Sequence, residues 1–460
     1  MTWNRILHLP TQHVRPTRRV TAALVLYAAT SSLSGCAESD ARAAQADPAA
    51  QTAAADAPTA TSPNTTGAPT GDVGPKPARC GDVEVPPRAY AKAPPYKLGP
   101  AENGLPDYWP TDEWKAKDPS ELGFDSQKLA SAVDFRGNAK LNTQAVLVIR
   151  HGYIAHEKYY GTFTQNTRHE SYSMAKSVTS GMIGIALAEG KIASLNEKIC
   201  KYYPNKWNCN DSSDPRSRIT IDHAMNLTTG LQWVEDWRSF ANAGNDAMAL
   251  GDMLDKALGR KAVTEPGSSM RYSTGDPALL TAPIQQSVGK TAYAYAKEKI
   301  FDVIGIPGVR WNQHASGMTT VFAGLSATAR EFAKFGYLYL RHGQWEGKQV
   351  VPGEWIDKTT NAPRACNDWY RYFWHQNLSM RLGEQTRDLK KCPIGFCFPL
   401  TFANVPADAF MAKGVFGQYV VIIPSEDTVI VRLAQDQAGS ENWDDWGQSV
   451  IPAVLDAIVK

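Results

Sequence analysis

The chain has 460 residues, of which 43% are hydrophobic and 20% charged, with a formal net charge of +2. So balanced a charge offers no field for nucleic acid or a strongly charged substrate to follow, which sets those partners aside. The length allows two or three average domains, and 13 Trp with 18 Tyr point to a large core.

Arg15, Arg18 and Arg19 precede an apolar run over residues 20–29. The run is too short to span a bilayer comfortably and reads as an export signal. It ends at Leu33-Ser34-Gly35-Cys36, which resembles the lipobox of bacterial lipoproteins. That resemblance implies removal of residues 1–35, acylation of Cys36, and a membrane-anchored protein facing the periplasm or cell surface. Ala37, where Asp would signal inner-membrane retention, implies the outer membrane if the source is Gram-negative. Residues 36–76 are rich in Ala, Pro and Thr with almost no large apolar side chains. Such a segment cannot offset its ordering entropy and reads as a flexible tether. Residues 77–118 are rich in Pro and aromatics and read as wrapping a folded domain over 119–460.

Seven Cys is an awkward number for an exported chain. Setting Cys36 aside as the lipid site leaves Cys80, Cys200, Cys209, Cys366, Cys392 and Cys397, enough for three disulfides in an oxidising compartment. Among the many connectivities that six Cys allow, the simplest pairs Cys200 with Cys209 and Cys392 with Cys397, leaving Cys80 for Cys366. No CxxC or HExxH spacing favours zinc, and no metal or organic cofactor is expected.

In the folded part a helix is predicted near 125–135. Strands at 145–150 and 153–159 flank His151-Gly152, a hairpin signal. The middle, about 174–345, reads as helical with little strand signal. Strands at 417–423 and 428–433 are joined by Pro424-Ser425-Glu426-Asp427, and a closing helix covers 442–459. Strands at both ends with helices between imply an α+β fold. Its antiparallel sheet comes from the N- and C-terminal strands, flanked by helices, with a helical lobe inserted.

Ser173-Met174-Ala175-Lys176 carries the chemistry. Residues at i and i+3 share a helix face, with Cβ atoms about 5–6 Å apart. A serine hydroxyl is a weak nucleophile and needs a base within reach. Lys can be that base only if burial or a neighbouring cation pulls its pKa down from about 10.4. A helix N-terminus also supplies N–H groups for a developing oxyanion. Ser287-Val288-Gly289-Lys290 repeats the spacing, so context must decide. Ser173 precedes a long small and apolar stretch ended by Gly190, whereas Ser287 closes an apolar segment just before Gly289.

Four segments occur in a recognisable order: Glu170-Ser-Tyr-Ser-Met-Ala-Lys-Ser-Val-Thr-Ser, Ile219-Thr-Ile-Asp-His-Ala-Met-Asn-Leu-Thr-Thr-Gly-Leu, Glu265-Pro-Gly-Ser-Ser-Met-Arg-Tyr-Ser-Thr-Gly-Asp-Pro, and Phe410-Met-Ala-Lys-Gly-Val-Phe-Gly-Gln-Tyr. Together they resemble the serine β-lactamase and penicillin-binding-protein family, in its class C and esterase branch. The resemblance implies a β-lactamase/DD-peptidase-like fold with Ser173 as nucleophile. It also implies Lys176 and Tyr272 as proton carriers, with a Tyr272 phenolate made accessible by the lysine ammonium. The oxyanion would be held by the Ser173 N–H and one N–H of the Gly414, Gly417, Gln418 turn.

Two departures bear on substrate. Thr274, a candidate substrate contact, stands where the second motif usually has an Asn that binds the side-chain amide of β-lactams, which argues against an antibiotic. Lys413-Gly414 lacks the usual Thr, so Lys413 is either an electrostatic anchor or a strand-end charge. The wording is most similar to carboxylesterases and 6-aminohexanoate-oligomer hydrolases, implying esters or small linear amides as substrates. A D-alanyl-D-alanine carboxypeptidase or β-lactamase is the alternative. A non-catalytic envelope-binding lipoprotein is the rival from another class. Tyr370 and Trp374 either wall an acyl pocket or pack the core. His151, His169, His223 and His314 read as structural or surface residues.

Overall fold

The two ends of the folded region meet in one sheet. The computed structural model describes residues 108–134, 142–235, 245–246, 252–314, 316–360, 370–377, 402, 404–435 and 445–459. All of these lie in one unit, Val73–Lys460. The leader, Cys36, the tether, Cys80, Cys366, Cys392 and Cys397 lie outside the described residues.

Strands β1 (Thr143–Arg150) and β2 (Tyr153–Tyr159) form the expected hairpin. His151 and Gly152 have φ of 51° and 82°, the double left-handed turn whose twist matches that of the strands. After the long middle come β3 (Tyr370–Arg371), β4 (Trp374–Gln376), β5 (Phe410–Gly414), β6 (Gln418–Ile423) and β7 (Thr428–Ala434). The sheet order is β2-β1-β7-β6-β5-β4-β3, antiparallel throughout. Thus β1 pairs with β7, Val146 opposite Arg432 and Val148 opposite Ile430.

Both faces of the sheet are covered, which is why its strands read as unbroken apolar runs. Val146, Val148, Met411, Tyr419, Val421 and Ile430 pack with helices α1 (Ser126–Val133) and α4 (Asp445–Asp456). Leu147, Ile149, Val420, Ile422, Val429 and Val431 face α2 (Met174–Ala188), α3 (Ala329–Leu340) and the lobe. Helix α1 starts at Asp125, whose carboxylate accepts from the backbone N–H of Gln127 and Lys128. Helix α3 starts with a reciprocal capping box between Thr328 and Glu331. Helix α2 is buried all round from Met174 to Ala186, as a helix wedged between sheet and lobe must be.

The lobe consists of short helices, among them Ile221–Met225, Met253–Leu258 and Thr281–Val288. Contrary to the nearly strand-free middle read from sequence, it also holds small sheets. Arg168–Glu170, Leu325–Thr328 and Arg310–Trp311 make one, and Gln344–Trp345 with Lys348–Gln349 make another. Strands of two to four residues are too short to print an alternation. A disulfide joins Cys200 to Cys209, Cα atoms 5.4 Å apart. Ahead of the sheet, the segment from Tyr108 crosses α3. Trp114 Nε1 donates to the Arg330 carbonyl at 3.0 Å, and Lys334 Nζ donates to the carbonyl of Thr111 at 2.7 Å.

Helix α3 seats on the sheet through Gly336, where a Cβ would lie 2.6 Å from Val420 Cγ1 and 2.8 Å from Val429 Cγ1. Gly336→Ala should therefore cost about 1–3 kcal/mol by overpacking, read as a lower midpoint at unchanged slope in urea. Wild-type stability would mean the helix can lift from the sheet freely.

Candidate active site

The turn into α2 is held by backbone pairing and by one carboxylate. Ser171 N–H donates to the Leu325 carbonyl at 2.7 Å. Glu170 accepts from the N–H groups of Tyr172 and Gly324 at 3.2 and 2.8 Å. Tyr172 sits at φ 47°, an uncommon conformation for a side-chain-bearing residue. Ser173 follows at the N-cap, but its hydroxyl makes no capping bond. Instead Ser173 Oγ accepts from Lys176 Nζ at 2.6 Å and from the Tyr272 hydroxyl at 3.0 Å. The Ser173 N–H has no acceptor among the described residues.

Lys176 is 1% exposed. Burial pulls its pKa down to about 8, while the charge of Glu235 pulls the other way. Tyr272 moves oppositely to the expectation: burial and then Glu235 push its pKa up, against the hydrogen bond to Ser173. The phenolate anticipated from the neighbouring ammonium is thus corrected to a neutral hydroxyl at ordinary pH.

Glu235 was not singled out in the sequence. It is 5% exposed, and three donors converge on it. Trp233 Nε1 and the Thr274 N–H reach Oε2 at 2.9 and 2.6 Å, and Thr274 Oγ1 reaches Oε1 at 2.6 Å. Thr274, anticipated as a substrate contact, spends its hydroxyl on this carboxylate. Gly275 permits the arrangement, since a Cβ there would fall 2.5 Å from the Trp233 ring. Behind it Asp276 accepts from Thr229 Oγ1 at 2.8 Å and Ser273 Oγ at 3.0 Å, and burial pushes its pKa up to about 7.

Strand β5 meets the same turn. A Cβ on Gly414 would lie 2.3 Å from the Ser171 carbonyl oxygen, so only Gly allows this approach. Gly414 pairs with Gln418 across a turn in which Gly417 has φ 85°. Gln418 is buried, its amide donating to the carbonyls of Ala434 and Phe416 at 2.6 and 3.1 Å, so its side chain braces the turn. Lys413 reaches over the Tyr419 ring, 5.4 Å from its centroid, on the sheet face that carries α4. This favours the strand-end reading over an anchor beside Ser173.

Of the two aromatics, Tyr370 lies at the site, its ring 5.8 Å from that of Tyr272. Trp374 is core, fully buried, 4.3 Å from the Tyr339 ring and 5.3 Å from that of Phe410. His375, also not singled out, stacks edgewise on Tyr370 at 4.8 Å. Burial, then the positive charges of Lys413 and Lys176, hold it neutral.

The second S-x-x-K spacing builds nothing similar. Ser287 is 3.4 Å from the Tyr202 hydroxyl, and Lys290 pairs with Glu298 at 2.5 Å. His151 pairs with Asp427, His169 with Gln144, His223 caps a helix with Thr220, and His314 contacts Ser316.

A terminal-strand sheet, an inserted lobe and a Ser–Lys–Tyr cluster at the head of the helix between them define the β-lactamase and penicillin-binding-protein fold class, whose members are hydrolases. The Beta-lactamase family model matches residues 130–453, and the chain belongs to that family. An uncharacterized protein of Alkalihalophilus pseudofirmus is 25% identical over 311 residues, 63% of this chain and 82% of that one. Among solved structures, a Bacillus anthracis protein described as a 6-aminohexanoate-dimer hydrolase superposes with a TM-score of 0.56 at 20% identity. The match covers 77% of this chain and 90% of that one. A family VIII carboxylesterase superposes with a TM-score of 0.51 at 14% identity, covering 72% and 97%.

Asp276 makes a test of the buried network. Its folded pKa, about 7, stands above the ordinary 3.8, so the folded state holds a proton that the unfolded state releases. Its contribution to stability should therefore fall as pH rises from about 4 to about 7 and level off above. Unfolding free energies of wild type minus Asp276→Asn should decline by a few kcal/mol across that window. A flat difference would place the carboxyl near its ordinary pKa.

Proposed function

We propose that the protein is a serine hydrolase that forms an acyl-enzyme on Ser173 and cleaves carboxylic esters or small linear amides. The observation that carries this is the convergence of Lys176 Nζ and the Tyr272 hydroxyl on one oxygen, Ser173 Oγ. In its neutral form Lys176 takes the Ser173 proton as Oγ bonds to the substrate carbonyl carbon. The carbonyl π pair moves onto oxygen, facing the Ser173 N–H and an N–H of the turn between Gly414 and Gln418. When the pair returns, the bond to the leaving group breaks. The departing oxygen or nitrogen takes the Tyr272 proton, which Lys176 replaces. Water then attacks the acyl ester by the same proton route, releasing the acid and restoring Ser173.

The preference for esters and linear amides rests on Thr274, whose hydroxyl is committed to Glu235 rather than presented as an amide to a lactam. The fold neighbours described as a 6-aminohexanoate-dimer hydrolase and a carboxylesterase point the same way. A D-alanyl-D-alanine carboxypeptidase or β-lactamase would lack that amide contact. A purely binding lipoprotein has no need of a lysine buried against a serine hydroxyl.

The proposal includes export and anchoring at Cys36, which the Cys200–Cys209 disulfide supports because such bonds persist in oxidising compartments. Cys36→Ala should move the protein from the detergent phase to the aqueous phase on Triton X-114 partitioning. Unchanged partitioning would remove the anchor.

Wild type should release p-nitrophenol from short-chain p-nitrophenyl esters with a burst, and Ser173→Ala should lose about 10³-fold or more in rate. Lys176→Ala should fall comparably, and Tyr272→Phe should fall by about 10²-fold or more. Turnover that survives Ser173→Ala would end the acyl-enzyme reading.

A further inference from the structure

Two buried ions in this site are each only half provided for. The Lys176 ammonium is 1% exposed, yet its one hydrogen bond goes to a neutral hydroxyl. Glu235 is also withdrawn from water, which pushes its pKa up, while the Lys176 charge and three uncharged donors, an indole N–H, a backbone N–H and a hydroxyl, work to keep it a carboxylate. Among the described residues no ion pair within 4 Å closes on either group, whose hydrogen bonds all go to uncharged partners. A buried ion without a counterion costs several kcal/mol, so each is the natural counterion of the other at a distance.

We propose that Glu235 is a positioning residue whose carboxylate, pinned off Lys176 by Trp233 and Thr274, supplies the fixed negative charge that sets the base strength of Lys176. The inference rests on the reading of Lys176 as the base for Ser173. The pinning is what matters chemically. A carboxylate free to swing onto Nζ would form a contact pair and lock the lysine in its protonated form. Three donors, two on Oε2 and one on Oε1, hold the Glu235 carboxylate in place, so the charge acts across space while Nζ stays on Ser173 Oγ. Residue 274 is the hinge of the arrangement, because it gives Glu235 two bonds from the same motif that delivers Tyr272.

Among the other described titratable groups around the pair, Asp276 is the one that can carry a second negative charge, as pH rises past about 7. Tyr272 and Tyr370 are held neutral by burial, with Glu235 itself adding to the upward push on both. His375 is held neutral on the strand side, with the ammonium of Lys413 beyond it. Asp276 faces Glu235 from behind and is tied to Thr229 and Ser273.

Glu235→Gln isolates the charge. The amide carbonyl can keep Trp233 and the Thr274 N–H, while the amide NH₂ donates to a rotated Thr274 hydroxyl. In the full chain, the rising acid limb of kcat/KM against pH for a p-nitrophenyl ester reports the loss of the proton from Lys176. Removing a carboxylate that favours the ammonium should move that limb to lower pH by about one unit. A limb that stays put, whatever happens to the plateau, overturns the proposal, because a structural role would change rate or melting temperature without moving it. Should Glu235→Gln fail to fold in a thermal melt, Trp233→Phe and Thr274→Val each remove one donor, free the carboxylate to approach Nζ, and should move the limb the opposite way, to higher pH. An unmoved limb in both is equally fatal. Absence of Ser173-dependent turnover in the wild type would instead sink the acyl-enzyme reading beneath it.

Discussion

Keeping an ammonium out of water beside a serine hydroxyl is the constraint on which the rest of the structure depends. Lys176 can be buried only if the helix that carries it is buried on every side, and α2 meets that demand from Met174 to Ala186. Each fully buried large apolar side chain of that helix, such as Met182 or Ile183, contributes about 1.5–3 kcal/mol. Their sum outweighs the several kcal/mol needed to withdraw one charge from water. The same burial fixes the partners of the helix. The sheet made from the two chain ends closes one side, and the inserted lobe closes the other. Neither half alone could provide the environment of Lys176.

The two halves also divide the chemistry. The lobe supplies Tyr272 and the Glu235 network, through side chains and one backbone N–H, that of Thr274. The sheet supplies backbone, and it does so by close approach. Gly414 abuts the Ser171 carbonyl, and the turn after it is braced from within by Gln418 and from behind by Arg432. Arg432 is fully buried, donating to the Gly417 carbonyl and to Thr143 Oγ1 at 3.1 Å each while lying 5.2 Å over the Trp446 ring. One guanidinium thus ties β1, the β5–β6 turn and α4 together. Any N–H presented to an oxyanion by that turn is positioned by groups that never touch a substrate.

The fold was legible because its information is local. The runs around Val146, Val420 and Ile430 mark doubly covered strands, His151-Gly152 marks a hairpin, and the order of the motif segments marks the family. Ser173, Lys176 and Tyr272 were legible for the same reason. The two-residue strand Arg310–Trp311 was not, since no alternation fits in its length. Glu235 was hidden because its meaning comes from Thr274, 39 positions away, and from a tryptophan two residues before it. The protonation state of Tyr272 was misread for a related cause. The sign of its shift depends on burial and on that distant carboxylate, not on the adjacent lysine alone. Tyr370 and Trp374 looked equivalent in sequence, and only the pairing of β3 with β4 sends one to the site and the other into the core.

Thr274 and Glu235 are best understood as one exchange. An asparagine at 274 would carry an amide long enough to reach a ligand, with both a donor and an acceptor. A threonine hydroxyl is shorter, and here it is committed to Glu235 at 2.6 Å. The substitution that removes an amide from the ligand side is thus the one that supplies an anchor for the carboxylate. On the proposal made for Glu235, the second motif of this chain serves the charge balance around Lys176 rather than recognition of an acyl side chain. Among the described residues, the aromatic rings about Ser173 include Tyr370 beside Tyr272, and Tyr172, its chain neighbour, which pairs with Phe416, rings 5.1 Å apart. Under the hydrolase reading proposed for Ser173, such rings would favour acyl chains with apolar surface over ligands held by a directed amide bond.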